Sequence, residues 1–139
     1  MSEENKAVVR KFVEEVQTKG NLDAIEELLS ADFKDNSPGP GVPPTREGIR
    51  MFFTAMRSGL PDMKATIHEQ IAEGDKVVTR KTLTGTHQGV LMGVPPTGKT
   101  INLEVIDIVR VANGKLVEHW HQVDAMGVMQ QLGMIPTQP

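Results

Sequence analysis

Asn113-Gly114 separates two runs of strand-like alternation, INLEVIDIVRVA (101–112) and KLVEHWHQVD (115–124). A type I′ turn needs positive φ at both central residues, which Asn and Gly tolerate, and its twist matches that of the paired strands. The dipeptide therefore predicts a two-residue hairpin in which Ala112 faces Lys115. Carried along an unbulged ladder, that pairing sets Val109 opposite Glu118, Asp107 opposite Trp120, Val105 opposite Gln122 and Leu103 opposite Asp124. Facing residues share a side of the sheet, as do alternate residues along each strand. One side is thus expected to collect Asp107, Glu118, Trp120, Gln122 and Asp124, with Leu103, Val105 and Val109. The other collects Ile106, Ile108, Arg110, Val117, His119, His121 and Val123. A single bulge would exchange the two sides beyond it.

Ahead of the strands the period changes. In NKAVVRKFVEEVQTKG the apolar residues Val8, Val9, Phe12, Val13 and Val16 recur every three or four positions, and Gly20 is a stop. Asn21 is placed to cap a second, shorter helix, LDAIEELL, which buries Leu22, Ile25, Leu28 and Leu29. Residues 35–44, DNSPGPGVPP, are expected to form a loop, because prolines and glycines support neither helix nor ladder. Thr45 caps a third helix, REGIRMFFTAMRS, with Ile49, Phe52, Phe53 and Met56 as its buried stripe. From Met63 onward come ATIHEQIA and DKVVTRKTLTGTH, joined at Glu73-Gly74-Asp75, then a loop, the Asn-Gly hairpin and a short helix in AMGVMQQLGM. Helices first and antiparallel strands afterwards is α+β order, not the alternation of a parallel sheet. The 139 residues fit one domain, 1–139, around one core.

The composition removes several function classes. A formal net charge of −3 offers no basic face for phosphates, so nucleic acid is not an expected partner. No apolar run approaches the roughly 18 residues of a membrane helix and no signal-peptide pattern opens the chain, so a cytoplasmic protein with no membrane partner is expected. With no Cys and no Tyr, disulfides, thiolate chemistry and a phenolic acid are ruled out.

The carboxylate-bearing face of the hairpin is the candidate site. If the helices cover it, Asp107, Glu118 and Asp124 share a partly apolar enclosure, where burial and mutual repulsion would raise carboxyl pKa values towards those useful in proton transfer. Trp120 suits a flat unsaturated ligand and gains from burial, with Gln122 beside it. Phe53, Met56, Met92, Leu103 and Val105 are candidates for the apolar wall. The same face turned to water would be an ordinary solvated sheet surface. On the opposite face, His119 and His121 stand two apart, a spacing that could set both on one metal ion. No third ligand follows from spacing, and no HExxH helix is present, so neither metal nor cofactor is expected. That face is expected to pack on a second copy of the chain, with Ile106 and Ile108 as its core and the histidines as polar partners.

The combination GTHQGVLMGVPPTGK, then IDIVRVANGKLVEHW, then VDAMGVMQQLG resembles the ester-cyclase (polyketide cyclase-like) branch of the nuclear transport factor 2-like superfamily. The segment VVRKFVEEVQTKGNLDAIEELLSADFKDNSPGPGVPPTREGIRMFF resembles that family's helical opening, so the likeness spans about Glu4 to Gly133. It implies a cone-shaped α+β barrel: a strongly curved, mostly antiparallel sheet wrapped around three N-terminal helices, enclosing one pocket, with the outer sheet face pairing two subunits. It also implies intramolecular aldol-type ring closure of an aromatic polyketide, without metal or organic cofactor. An aspartate near the end of the last strand would be the base, and Asp124 is the matching position. Asp107 or Glu118 would then hold a carbonyl oxygen or return the proton, while Trp120 and Gln122 position the ring. Asn36 stands where relatives often carry His, and can donate to a carbonyl without shuttling protons. His87 matches the family's GTH motif and is expected to close the strand end structurally.

Three functions remain open at this level. One is a cyclase, isomerase or hydrolase acting on a small hydrophobic carbonyl compound. The others are a non-catalytic binder of such a ligand and a dimeric interaction module. Three acids on one face favour the enzyme, because buried charge is costly without a task or a partner.

Overall fold

A computed structural model describes residues 2–135 of the chain. Helix α1, Ser2–Phe12, runs straight into a π-helical turn, Val13–Thr18. The apolar repeat is used as expected, with Val9, Phe12, Val13 and Val16 buried, and Gln17 of the π turn is buried with them. Helix α2 is only Ala24–Leu28; its N-cap is Asp23 rather than Asn21. Leu29 does not end that helix but opens a strand, β1, Leu29–Asp35. The sequence reading has no strand here, because β1 alternates only weakly and pairs with a partner more than eighty residues away. Helix α3, Arg46–Gly59, follows the loop and buries Ile49, Phe53 and Met56, with Thr45 at its N-cap. The Arg57 guanidinium ties the helices together through the carbonyls of Gln17 (3.0 Å), Thr18, Pro61 (3.1 Å) and Met63 (3.1 Å).

The remaining elements are β2 (Lys64–Glu73), β3 (Lys76–Thr86), β4 (Thr100–Ala112), β5 (Lys115–Val123) and α4 (Ala125–Gln131). The sheet order is β1-β5-β4-β3-β2, with only the β1–β5 pair parallel. The architecture is the expected α+β fold with a curved, mostly antiparallel sheet, but β1 and β2 are free edges and the sheet is not closed into a barrel. Leu83, Leu103, Val105, Val109, Val111 and Leu116 on its inner face are buried against the helices.

One residue changes the site. Asn113 and Gly114 take φ values of 53° and 74°, and Ala112 faces Lys115, as the turn demands. Val111 then faces Leu116, but Arg110 faces Glu118, leaving Val117 as a bulge. Beyond it Val109 faces His119, Ile108 faces Trp120, Asp107 faces His121, Ile106 faces Gln122 and Val105 faces Val123. The expected faces are therefore exchanged: His119 and His121 turn inward beside Asp107, while Glu118, Trp120 and Gln122 turn outward beside Ile106 and Ile108. An unbulged strand would bury a glutamate and a glutamine. The bulge instead leaves Glu118 outside, between Arg110 Nε (3.1 Å) and Asn36 Nδ2 (3.0 Å).

His87 is fully buried at the end of β3. Its Nδ1 accepts from the Thr97 amide (3.2 Å) and its Nε2 donates to the Val94 carbonyl (3.2 Å), an arrangement that assigns the proton to Nε2. It pins the loop between β3 and β4 and does not reach the cavity described next.

Candidate active site

Three consecutive rows cross the inner face of the sheet. Val77, Val109, His119 and Asp35 form one; Thr79, Asp107 and His121 form the next; Lys81, Val105 and Val123 form the third. Above them lie Val9, Phe12, Val13 and Gln17 from the first helical segment, and Ile49, Phe52 and Phe53 from α3. Ser37, Gly39 and Val42 of the 36–45 loop complete the wall. The space enclosed is about 70 Å³. That is less than the roughly 150 Å³ cavity that accommodates benzene in a well-studied protein, so a ring-sized ligand requires the wall to yield. The loop residues Ser37, Gly39 and Val42 are only half-buried, as is Phe52 of α3.

Within this apolar enclosure the polar groups are few and adjacent. Asp35, buried at the end of β1, receives the Ser37 amide at Oδ1 (2.9 Å) and has His119 Nδ1 at 3.2 Å from the same oxygen. Ser37 Oγ in turn accepts from the His121 amide (3.1 Å). The two imidazoles stack, with centroids 5.0 Å apart and planes at 26°. Lys81 Nζ lies 2.7 Å from Asp107 Oδ2, and both residues are almost wholly buried. Four buried side-chain polar atoms lack a partner among the described residues, and three belong to the cavity wall: Gln17 Oε1, Asp107 Oδ1 and His121 Nδ1. Native proteins rarely leave such atoms unpaired, so their convergence on one cavity makes it the candidate site.

The electrostatics separate the two ends of the Asp35–His121 group. Burial opposes ionisation of Asp35, but the His119 hydrogen bond and the Ser37 amide outweigh it and hold the carboxyl below its ordinary pKa. Burial, with help from His119, pushes the His121 imidazole below 6.5 against the attraction of Asp35 and Asp107. His121 is therefore neutral at neutral pH, with a lone pair in an apolar enclosure.

Asp35, His119 and His121 also place three ligand atoms within 4.8 Å of one another. Asp35 is the third ligand that spacing alone could not nominate. The nearly parallel rings send their in-plane lone pairs side by side, so a shared ion would require one ring to rotate and the Asp35–His119 bond to open.

Of the residues singled out from sequence, Phe53, Leu103, Val105 and Asp107 line the cavity. Asp107 is not clustered with other acids but paired with Lys81. Glu118 faces outward, where first Asn36 and then Arg110 hold its carboxyl below the ordinary value, the reverse of the expected rise. Asn36 is exposed and bonded to Glu118 rather than facing the cavity. Asp124 is exposed at the N-cap of α4, where its Oδ1 accepts from the Gly127 amide (2.8 Å). Trp120 and Gln122 lie on the outer side, Met56 is in the core away from the cavity wall, and Met92 is exposed in the 88–99 loop. Sequence reasoning missed Asp35 and Lys81 and set His119 and His121 on the wrong side. Lys81 had a signal: it sits in phase with Val77, Thr79 and Leu83 in an alternating strand.

Comparison with known proteins agrees with this fold. Residues 7–132 match the family model described as SnoaL-like polyketide cyclase. Over 133 residues the chain is 29% identical to aklanonic acid methyl ester cyclase DnrD of Streptomyces peucetius, covering 91% of this chain and 88% of that one. It is 28% identical to the nogalonic acid methyl ester cyclase of Streptomyces nogalater, over 82% and 87% of the two chains. Among solved structures, IdmH of Streptomyces antibioticus superposes with a TM-score of 0.83 at 33% identity, covering 93% of this chain and 98% of that one. TsrD of Streptomyces laurentii superposes at 0.85 with 26% identity, over 95% and 96%. A sheet folded over three helical segments, an apolar cavity between them and a match along nearly the whole chain make this protein a member of the SnoaL-like polyketide cyclase family.

Proposed function

We propose that the protein is a cyclase-type enzyme that closes a ring in a small hydrophobic carbonyl compound by intramolecular aldol addition, with His121 as the proton-transferring group. The observation that carries this is the unpartnered, buried Nδ1 of a neutral imidazole on the cavity wall. His121 removes a proton from a carbon flanked by two carbonyl groups. The resulting enolate carbon bonds to a second carbonyl carbon of the same molecule, and the imidazolium returns its proton to the new alkoxide. No atom is gained or lost, so the step needs no redox partner. Asp35 and His119 position this group: the Asp35 carboxylate orients His119, whose ring stacks on that of His121. The apolar wall folds the substrate and keeps water from the enolate. Asp124, in its capping role outside the cavity, has no support as the base.

The test is hydrogen–deuterium exchange at the central carbon of 3-methyl-2,4-pentanedione, followed by proton NMR. Wild type is expected to exceed the buffer rate, and His121→Gln to lose about 100-fold or more of that excess, the usual range for a general base. Exchange unchanged in His121→Gln would remove the base, and no exchange in wild type would leave a binding protein.

The outer sheet face is the proposed seat of a second copy. Ile71, Val78, Ile108 and Trp120 form one cross-strand row there, with Ile106 half-exposed nearby. The histidines expected in that interface belong to the cavity instead.

A further inference from the structure

Lys81 and Asp107 take no part in the proton transfer just described, yet they are the most expensive groups in the cavity. Their side chains are 3% and 5% exposed, with Nζ and Oδ2 2.7 Å apart. A buried ion pair offsets its desolvation only when its remaining protons and lone pairs are also satisfied. Here they are not. Asp107 Oδ1 is buried without a partner, and the single bond to Oδ2 occupies one of the three ammonium protons of Lys81. Both residues face the cavity, where the neighbouring inward side chains of β4 and β5 are Val105, Val109 and Val123 and the imidazoles of His119 and His121. None of the described residues hydrogen-bonds Asp107 Oδ1.

We propose that Lys81 and Asp107 form a two-point recognition site for a hydroxyl and a carbonyl oxygen held on alternate carbons of one ligand, as in an enolised 1,3-dicarbonyl compound or a β-hydroxy ketone. The ligand hydroxyl donates to Asp107 Oδ1 and its carbonyl oxygen accepts from Lys81 Nζ. Other chemistries match less well. A carboxylate or phosphate meets the charge of Asp107, an amine meets that of Lys81, and a simple ketone leaves Oδ1 unpaired. The pair presents its donor and acceptor only a few ångströms apart, the spacing of two oxygens on a three-carbon unit. Asp107 faces His121 across the β4–β5 pair, so the carbon between the two oxygens is brought towards the imidazole. What happens to that carbon rests on the function proposed above; the recognition itself does not.

The experiment compares binding of acetylacetone, which presents the enol and keto oxygens together, with binding of 2-pentanone, which presents one carbonyl. Both are titrated into the folded protein by ligand-observed NMR. Wild type is expected to prefer acetylacetone by about tenfold or more, the discrimination lost when a buried polar group is left unpaired. Lys81→Met and Asp107→Asn each reduce that ratio. The double variant Lys81→Met/Asp107→Leu removes both charges, a change that buried pairs tolerate, and is expected to bind the two compounds alike. A ratio near one in wild type, or an undiminished ratio in the folded double variant, overturns the proposal. His121→Gln separates the two readings: it is expected to keep the ratio while losing central-carbon exchange. If it keeps both, the recognition site stands and the proposed base falls.

Discussion

His119 Nδ1 lies 3.2 Å from Asp35 Oδ1, a contact that spans the only parallel strand pair in the sheet and ties an edge strand to the cavity floor. It joins residues 84 positions apart, so it forms only when β1 has docked beside β5. Asp35→Asn replaces a charged acceptor with an amide and is expected to cost about 1–3 kcal/mol in urea unfolding at pH 7. The pH dependence has a definite sign. The folded-state pKa lies below 3.8, so the carboxylate's contribution is whole above that value and is lost as the pH falls through the lower one. The gap between wild type and Asp35→Asn should therefore narrow below about pH 4. A gap constant from pH 7 to pH 3 would deny Asp35 this role.

For His121 the shift also acts on the acid side, nearer to neutrality. Its folded-state pKa lies below 6.5, so on acidification the unfolded chain takes up the proton first and the fold loses stability from about pH 6.5 downward. His121→Gln should remove part of that acid sensitivity between pH 7 and 5. In the diketone exchange assay, the acid limb of the wild-type rate should have its midpoint below 6.5, and a midpoint above it would contradict the buried neutral imidazole.

Gly48 sits at the start of α3 with the Pro43 carbonyl directly against it, and an added Cβ would run into that oxygen. Gly48→Ala is expected to push the 36–45 loop outward, with a stability loss of about 1–3 kcal/mol, as for other overpacked sites. Because this loop adds half-buried residues to the cavity wall, the variant should also bind acetylacetone with a faster off-rate. Loss of stability with unchanged ligand kinetics would place the mouth elsewhere.

The outer-face row offers a separate test. Ile106→Glu adds a charge to a half-exposed apolar position on the side of the sheet opposite the cavity. It is expected to shift a dimer to monomer in light scattering while leaving diketone exchange within about twofold, as for a surface substitution whose side chain points away from the site. A wild type that is already monomeric at high concentration would dismiss the paired-copy proposal.

Much of the scaffold was legible in the residues. The three-to-four spacing of Val9, Phe12, Val13 and Val16, the stripe in α3 and the Asn113-Gly114 turn all act locally, and each element forms where its pattern stands. The site was only partly legible, because it depends on pairing between distant segments. Asp107, Phe53, Leu103 and Val105 lie before the bulge or on a helix, and reach the cavity as their periodicity implied. Glu118, His119, Trp120, His121 and Gln122 lie after it, so their sides were exchanged. Nothing in KLVEHWHQVD announces a bulge at Val117. It follows from leaving Glu118 between Asn36 and Arg110, groups supplied by two other segments. Asp35 was hidden for a related reason: its strand pairs in parallel with β5, and its proline- and glycine-rich sequel reads as loop.

Val117 also makes the pairing of one short segment a chemical variable. Drawing Val117 into the ladder opposite Arg110 would slide Glu118, Trp120 and Gln122 under the helices and turn the two imidazoles out to solvent, whereas deleting it would leave Glu118 opposite Arg110 and the imidazoles inside. In comparing this chain with a relative that lacks the bulge, an alignment carried without a gap through Val117 assigns opposite reactive groups to the same pocket. Diversification of such a pocket can therefore proceed by gain or loss of a bulge at the strand start as readily as by replacement of the residues that touch the ligand.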